Sequence, residues 1–182
     1  MPPTRYDRVA QALHWLTALL IFAILPIAWH MIMLARDNPQ RETWYTVHKS
    51  IGITILALAV LRLVWRGLHP PPPLPDTMSK IEDGAAVLSH WLLYVVLLAM
   101  PISGYLLSAA GGHPVSYFGL FEIPNLVPQS PTLSRAGATV HILGQWAVYA
   151  LIVLHLAATA WHIVVRRDAL LDRMLPEQTH SS

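Results

Sequence analysis

The stretch HILGQWAVYALIVLH, residues 141–155, begins and ends with histidine inside an otherwise apolar segment. Ionisable side chains are costly within a membrane and usually serve a function there. An α-helix turns about 100° and rises about 1.5 Å per residue, so His141 and His155 should share one helix face about 21 Å apart. Gly144 lies between them on much the same face and leaves room for something flat and wide.

Each of these histidines needs a partner from another helix, because two side chains about 21 Å apart cannot bind one metal ion. His48 begins the second apolar segment at the predicted depth of His141. His14 lies in the first turns of the first segment, at the predicted depth of His155. The sequence therefore predicts two pairs of imidazoles, one in each leaflet.

The composition narrows what these pairs can bind. The chain has no cysteine, and its apolar segments carry no Asp or Glu beside the histidines. A zinc site requires a third or fourth protein ligand, whereas a haem requires only two axial ligands. We therefore expect two b-type haems per chain, with His14, His48, His141 and His155 as iron ligands. Covalent attachment is excluded because it requires C-x-x-C-H.

A buried histidine can also simply donate a hydrogen bond to a backbone carbonyl. One such residue would fit either interpretation, but four that match in depth and face favour ligation. Arg62 follows His48 by fourteen residues, so it should share the face of His48 and lie level with His155. A charged residue in a span needs a partner, and a haem propionate is one candidate. The alternative is that Arg62 extends to the interface.

Two further residues are candidates for the chemistry at the two ends. Lys49 follows His48 and is either a positive charge beside the outer haem or an ordinary interfacial lysine. His162 follows His155 by seven residues, about 20° from its face, within reach of a molecule that meets the inner haem. His90, at the inner start of the third segment, is a proton carrier or a polar cap, and His30 is expected at the outer interface.

Four apolar runs are long enough to cross a bilayer, which takes about 20 helical residues. Only 12% of the 182 residues are charged, against about 25% in soluble domains. We therefore predict an all-α membrane protein, one domain of residues 1–182 forming a four-transmembrane-helix bundle. The runs are Val9 to Leu34, Trp44 to Trp65, Ala85 to Ala110, and Ala136 to Val165.

The connections differ in character. The second contains a proline run, which favours an extended and stiff backbone. The third, residues 111–135, keeps Tyr117, Phe118, Leu120 and Phe121 and is expected to pack on the membrane surface. Thr132 or Ser134 is predicted to cap the fourth helix. The net charge is only +2 and no run of Lys or Arg forms a basic stripe, so nucleic-acid binding is not expected.

Four segments of the chain resemble those of a known family. They are ALHWLTALL, VHKSIGITILALAVLRLVWR followed by PPPPLP, LSHWLLYVVLLAMPISGYLLS, and VHILGQWAVYALIVLHLAATAWH followed by RRDALLDRMLP. Over nearly its whole length the chain resembles the bacterial cytochrome b561 proteins. The resemblance implies a bacterial inner-membrane four-helix bundle with two b haems, one between helices one and four and one between helices two and four. In its superoxide oxidase branch, the position of His162 is associated with the quinone.

The expected function is membrane electron transfer from periplasmic superoxide to ubiquinone, which would make the protein an oxidoreductase. With both axial positions occupied, outer-sphere electron transfer is favoured. Lys49 would serve the superoxide side and His162 the quinone side. One alternative is a cytochrome b anchor and electron conduit for a separate dehydrogenase or another periplasmic redox partner protein. A transporter or proton channel that uses its histidines as relays is a second alternative.

The distribution of basic residues predicts the orientation, because cytoplasmic loops carry an excess of Lys and Arg. One side holds seven, namely Arg5, Arg8, Arg66, Lys80, Arg166, Arg167 and Arg173, whereas the other holds three, namely Arg36, Arg41 and Arg135. Reporter enzymes fused to either terminus should therefore report the cytoplasm. A periplasmic signal from the C-terminal fusion would invert the predicted inner and outer sides.

Overall fold

The computed structural model describes residues 5–74 and 78–176. Four helices run antiparallel to their neighbours in sequence, and each is long and apolar enough to cross a membrane. This confirms the four-helix prediction. The helices are α1 (Arg8–Met33), α2 (Arg41–Leu68), α3 (Lys80–Ala110) and α4 (Pro131–Trp161). A π-helical turn (His162–Arg166) and a short 3₁₀ helix (Leu171–Met174) follow α4.

The prediction of an all-α chain missed one small element. Between α3 and α4 lie two short antiparallel strands, β1 (Val115–Tyr117) and β2 (Phe121–Ile123). Phe118 and Gly119 both have positive φ, 50° and 74°, a combination typical of tight hairpin turns. The hairpin places its turn against α2, where the Phe118 N–H donates to the Ser50 hydroxyl at 2.7 Å.

The two ends of the bundle are named here by the hairpin and by the chain termini. The hairpin end contains Met33, Arg41, Ala110 and Pro131, and the terminal end contains Arg8, Leu68, Lys80 and Arg166. In the hairpin, Phe118, Leu120 and Phe121 are exposed, so the expected packing of this loop on the membrane surface stays a prediction.

Side-chain caps fix where the helices begin. Asp7 accepts hydrogen bonds from the Val9 and Ala10 N–H groups at the start of α1. Burial alone would raise the pKa of Asp7, but hydrogen bonds from the Ala10 N–H and the Trp65 indole hold that pKa below its ordinary value. The Trp65 contact also ties the end of α2 to the start of α1.

The predicted cap of α4 was wrong by at least two residues. Ser130, rather than Thr132 or Ser134, is the N-cap, and its hydroxyl accepts from the Leu133 N–H at 3.3 Å. Pro131 occupies the first turn, where its missing N–H costs nothing and its fixed φ suits a helix. The Ser-Pro step therefore starts the helix earlier than the first apolar residues do.

Helices α3 and α4 are in close backbone contact where Gly137 faces α3. A Cβ at Gly137 would lie 2.7 Å from the Leu107 N atom and 2.8 Å from the Ser103 carbonyl oxygen. Backbone atoms cannot move aside as a flexible side chain can. The absence of a side chain at Gly137 therefore sets the separation of these two helices.

This contact predicts opposite effects for two glycine-to-alanine changes. Gly137→Ala should destabilise the protein by about 1–3 kcal/mol, because α3 and α4 must separate. Gly67→Ala should be neutral or mildly stabilising, since no atom lies within 4 Å of its Cβ position and Ala favours helix more than Gly. Thermal unfolding in detergent would measure both, and equal melting temperatures would contradict the close-contact argument.

Candidate functional site

A large cavity runs through the interior of the bundle, with a volume of about 1280 Å³. Side chains from all four helices line it, and they are mostly apolar. Among the polar side chains on its wall are six histidines of the helical region. They are His14, His48, His90, His141, His155 and His162.

His48 of α2 and His141 of α4 face each other towards the hairpin end, with ring centroids 6.0 Å apart and planes at 88°. The Nδ1 atom of His141 lies 2.9 Å from the Met100 carbonyl oxygen. An N–H at that position would donate to the carbonyl and leave Nε2 unprotonated. A metal-binding histidine is usually held in this way. Ser103 also lies beside this ring, its Oγ 3.3 Å from Nδ1.

The partner of His141 is a buried imidazole whose polar atom is unsatisfied. Nδ1 of His48 is shielded from solvent and has no hydrogen-bond partner. Such groups are rare in folded proteins, and each calls for an explanation such as strain, a functional role or a bound species. Gly104 also leaves space here, since a Cβ on it would lie 2.9 Å from the Cε1 atom of His141.

The second predicted pair lies towards the terminal end. His14 of α1 and His155 of α4 have ring centroids 6.3 Å apart. The structure thus brings together both pairs of histidines that the sequence matched by depth and face. Their separation along α4 follows from the fourteen residues between His141 and His155, which correspond to about 21 Å of helix.

A third imidazole at this level was not assigned a ligand role from the sequence. The His90 ring lies 5.6 Å from the His155 ring, and its Nδ1 atom lies 2.6 Å from the Ala86 carbonyl oxygen. His90 therefore has the same backbone-anchored arrangement as His141. Its depth was evident from the sequence, but the rotation of α3 that turns it towards His155 was not.

Arg62 reaches the terminal-end pair from α2. Its Nη2 atom lies 3.3 Å from Nδ1 of His14, and its guanidinium carbon lies 5.5 Å from the centre of the Tyr94 ring. Arginine only donates hydrogen bonds, so this contact requires His14 Nδ1 to be an acceptor. The structure places Arg62 in the cavity wall, level with His14 as well as His155.

The two residues predicted to act at the ends lie on the same cavity wall. Lys49 donates from Nζ to the Pro114 carbonyl oxygen at 3.2 Å, next to β1. His162 is buried at the end of α4, and its Nδ1 atom lies 2.7 Å from Asp168 Oδ2. Asp168 was not identified from the sequence. His30 lies at the hairpin end against Trp44, with ring centroids 4.6 Å apart.

The donor set suits a macrocyclic metal cofactor better than a bare ion. Among the residues that the structure describes, no three His or acidic side chains converge as a metal site. With imidazole–metal bonds of about 2 Å, two rings on opposite sides of one ion have centroids roughly 6 Å apart. Both histidine pairs match that spacing. The residues present therefore fit a group that supplies its remaining metal ligands itself.

Comparison with known proteins identifies the family of the chain. Residues 5–177 match the family described as prokaryotic cytochrome b561. The chain is 35% identical over 178 residues to cytochrome b561 homolog 2 of Escherichia coli (strain K12), covering 95% of this chain and 92% of that protein. It is 31% identical over 176 residues to the probable superoxide oxidase CybB of Yersinia pestis, covering 96% and 97%. Cytochrome b561 homolog 1 of Escherichia coli (strain K12) is 26% identical over 178 residues, covering 96% and 98%.

The chain therefore belongs to the prokaryotic cytochrome b561 family. It is a multi-pass protein of the bacterial inner membrane, its work is membrane electron transfer, and the family implies a b-type haem.

Proposed function

We propose that this protein carries two b-type haems and passes electrons from periplasmic superoxide to ubiquinone. The observation that supports it most is the presence of two facing histidine pairs in one continuous cavity, with ring separations of 6.0 and 6.3 Å. His48 and His141 would hold one haem, and His14 and His155 the other. When bound, the haem iron supplies one-electron transfer without an open coordination site.

The role of Arg62 follows from the protonation of its neighbour. A neutral histidine that binds metal through Nε2 carries its proton on Nδ1, and arginine cannot accept that proton. The present contact between Arg62 and His14 Nδ1 therefore conflicts with ligation by Nε2. We infer that Arg62 pairs with a haem propionate when His14 is a ligand, because that carboxylate accepts hydrogen bonds in a buried setting.

The hairpin end is the better entrance for a small anion. Lys49 follows His48 directly in α2, and with Arg36, Arg41 and Arg135 it makes four basic residues on that side against three acidic ones, Asp37, Glu42 and Glu122. A weakly positive mouth attracts anions, and this effect decreases with salt. The predicted orientation places this end in the periplasm, so superoxide is the proposed donor there.

The terminal end offers groups suited to a quinone. His162 lies at the cavity wall with Arg62 and His90 further along it, and all three are polar side chains in a cavity whose wall is mostly apolar. A quinone needs such a surrounding, since its ring is apolar and its two carbonyl oxygens accept hydrogen bonds. Two superoxide ions would yield two molecules of oxygen, and ubiquinone would take up the two electrons and two protons to form ubiquinol.

Haem content tests the assignment of ligands. Purified protein should contain about two low-spin haem b per chain. His48→Ala and His141→Ala should each remove the same haem, and His14→Ala and His155→Ala should each remove the other, as read by pyridine haemochrome and redox titration.

His90→Ala is the matched control for that series, because His90 contacts His155 without an assigned ligand role. It should retain both haems. If His90→Ala loses a haem that His14→Ala keeps, His90 is the partner of His155 and the proposed pairing is wrong.

Stopped-flow spectroscopy tests the donor and the acceptor. Superoxide should reduce the haems and ubiquinone should reoxidise them. Lys49→Ala should slow the reduction severalfold at low salt and less at high salt, because an attractive charge is lost. His162→Ala should slow reoxidation more than reduction.

Two controls separate charge from position. Lys49→Arg should keep the rate of reduction, and Lys80→Ala, which removes the same charge at the terminal end, should leave it unchanged. Haems that superoxide fails to reduce, while a co-purified dehydrogenase or added quinol does, would favour the electron-conduit alternative.

A further inference from the structure

The end of α4 changes its hydrogen-bond pattern at the point where it reaches His162. Residues His162–Arg166 form a π-helical turn, and Arg167 then adopts the left-handed conformation with φ of 51°. The Asp168 N–H donates back to the His162 carbonyl oxygen at 3.3 Å. Single π-helical turns are rare and occur frequently at functional sites. Here the turn brings the chain back so that Asp168 lies beside His162.

The two side chains form a short, shielded contact. Asp168 Oδ2 lies 2.7 Å from His162 Nδ1, and the side chains are only 11% and 19% exposed. The other carboxylate oxygen, Oδ1, accepts from the Leu170 N–H at 3.2 Å. Both oxygens of Asp168 are thus fixed. Since Asp168 occupies Nδ1, the ring nitrogen left to meet a ligand in the cavity is Nε2 of His162.

We propose that Asp168 is a positioning residue of the quinone site, which orients His162 and stabilises its protonated imidazole so that Nε2 can donate to a quinone carbonyl oxygen. This inference rests on the proposed function, because it assumes that quinone binds at the terminal end. Hydrogen bonds between an ionised carboxylate and a charged donor are about twice as strong as neutral ones, which accounts for the short contact.

Ubiquinone accepts two electrons and two protons to become ubiquinol. The Nε2–H bond of His162 breaks as one quinone oxygen gains its O–H bond, and His162 becomes neutral. Water at the terminal end returns a proton to Nε2 and supplies the second proton of the quinol. Asp168 remains a carboxylate throughout.

The other charged groups near His162 come from α3 and from the π-helical turn itself. Glu82 lies near enough to interact electrostatically with His162, but its Oε1 atom lies 3.9 Å from Arg166 Nη1. Glu82 also caps α3 by accepting from the Ser79 N–H. Within residues 5–74 and 78–176, Asp168 is the carboxylate hydrogen-bonded to His162.

Asp168→Asn removes the negative charge of Asp168 but keeps a hydrogen bond to the backbone, because the asparagine side-chain oxygen can still accept from the Leu170 N–H. Superoxide-driven reduction of the haems should be unchanged in this variant. Reoxidation by a short-chain ubiquinone should be about tenfold slower than in wild type, because the neutral amide no longer provides the charge-assisted hydrogen bond to His162. Binding of the same ubiquinone to oxidised protein, measured by calorimetry, should weaken as well, because Nε2 of His162 then donates a weaker hydrogen bond.

Two further variants serve as controls. Asp168→Glu keeps the charge and should restore most of the wild-type rate of reoxidation. Asp172→Asn removes an exposed carboxylate four residues away and should change nothing. Equal rates of reoxidation for Asp168→Asn and Asp168→Glu, or an equal loss of reduction and reoxidation in Asp168→Asn, would mean a purely structural Asp168 and overturn the inference. If wild type itself is not reoxidised by ubiquinone, the proposed function fails instead.

Discussion

The structure depends on the spacing between imidazoles that face each other across neighbouring helices. A ring separation of 6.0 to 6.3 Å suits two ligands of one metal ion. Because α4 supplies one member of each pair, its distance from α1 and α2 cannot decrease without closing this space. The bundle is therefore held open along its axis, and tight packing is concentrated between α3 and α4, where Gly137 meets the backbone of α3.

Much of this arrangement could be predicted from helix geometry. Apolar runs gave four helices, and a fourteen-residue spacing gave the face and depth of His141 and His155 on α4. Depth alone then indicated His48 and His14 as partners, and the structure brings both close. The starts of the helices were less predictable, because the Ser130 cap and Pro131 begin α4 before its apolar pattern does. The hairpin was missed because each strand has only three residues, too few for a recognisable alternation.

What the sequence could not provide was the rotation of α3 and the course of the chain beyond α4. The position of His90 opposite His155 depends on how α3 turns about its axis, and α3 carries no matched histidine pair that would fix this angle. Asp168 lies six residues after His162, which in an ideal α-helix corresponds to a rotation of about 600°, so the two side chains would point about 120° apart. Only a π-helical turn followed by a left-handed residue places the two side chains in contact.

The two ends of the cavity are built differently, and this asymmetry is consistent with different partners. At the hairpin end, β1 lies against α2, where the fully buried Ser50 hydroxyl bonds to the Phe118 N–H and to the Ser116 carbonyl oxygen. The backbone of the hairpin therefore covers part of α2 at this end. At the terminal end, the polar groups on the cavity wall are long, ionisable side chains such as Arg62 and His162. Such groups can bind a carbonyl oxygen and exchange protons with water, as the reduction of a quinone requires.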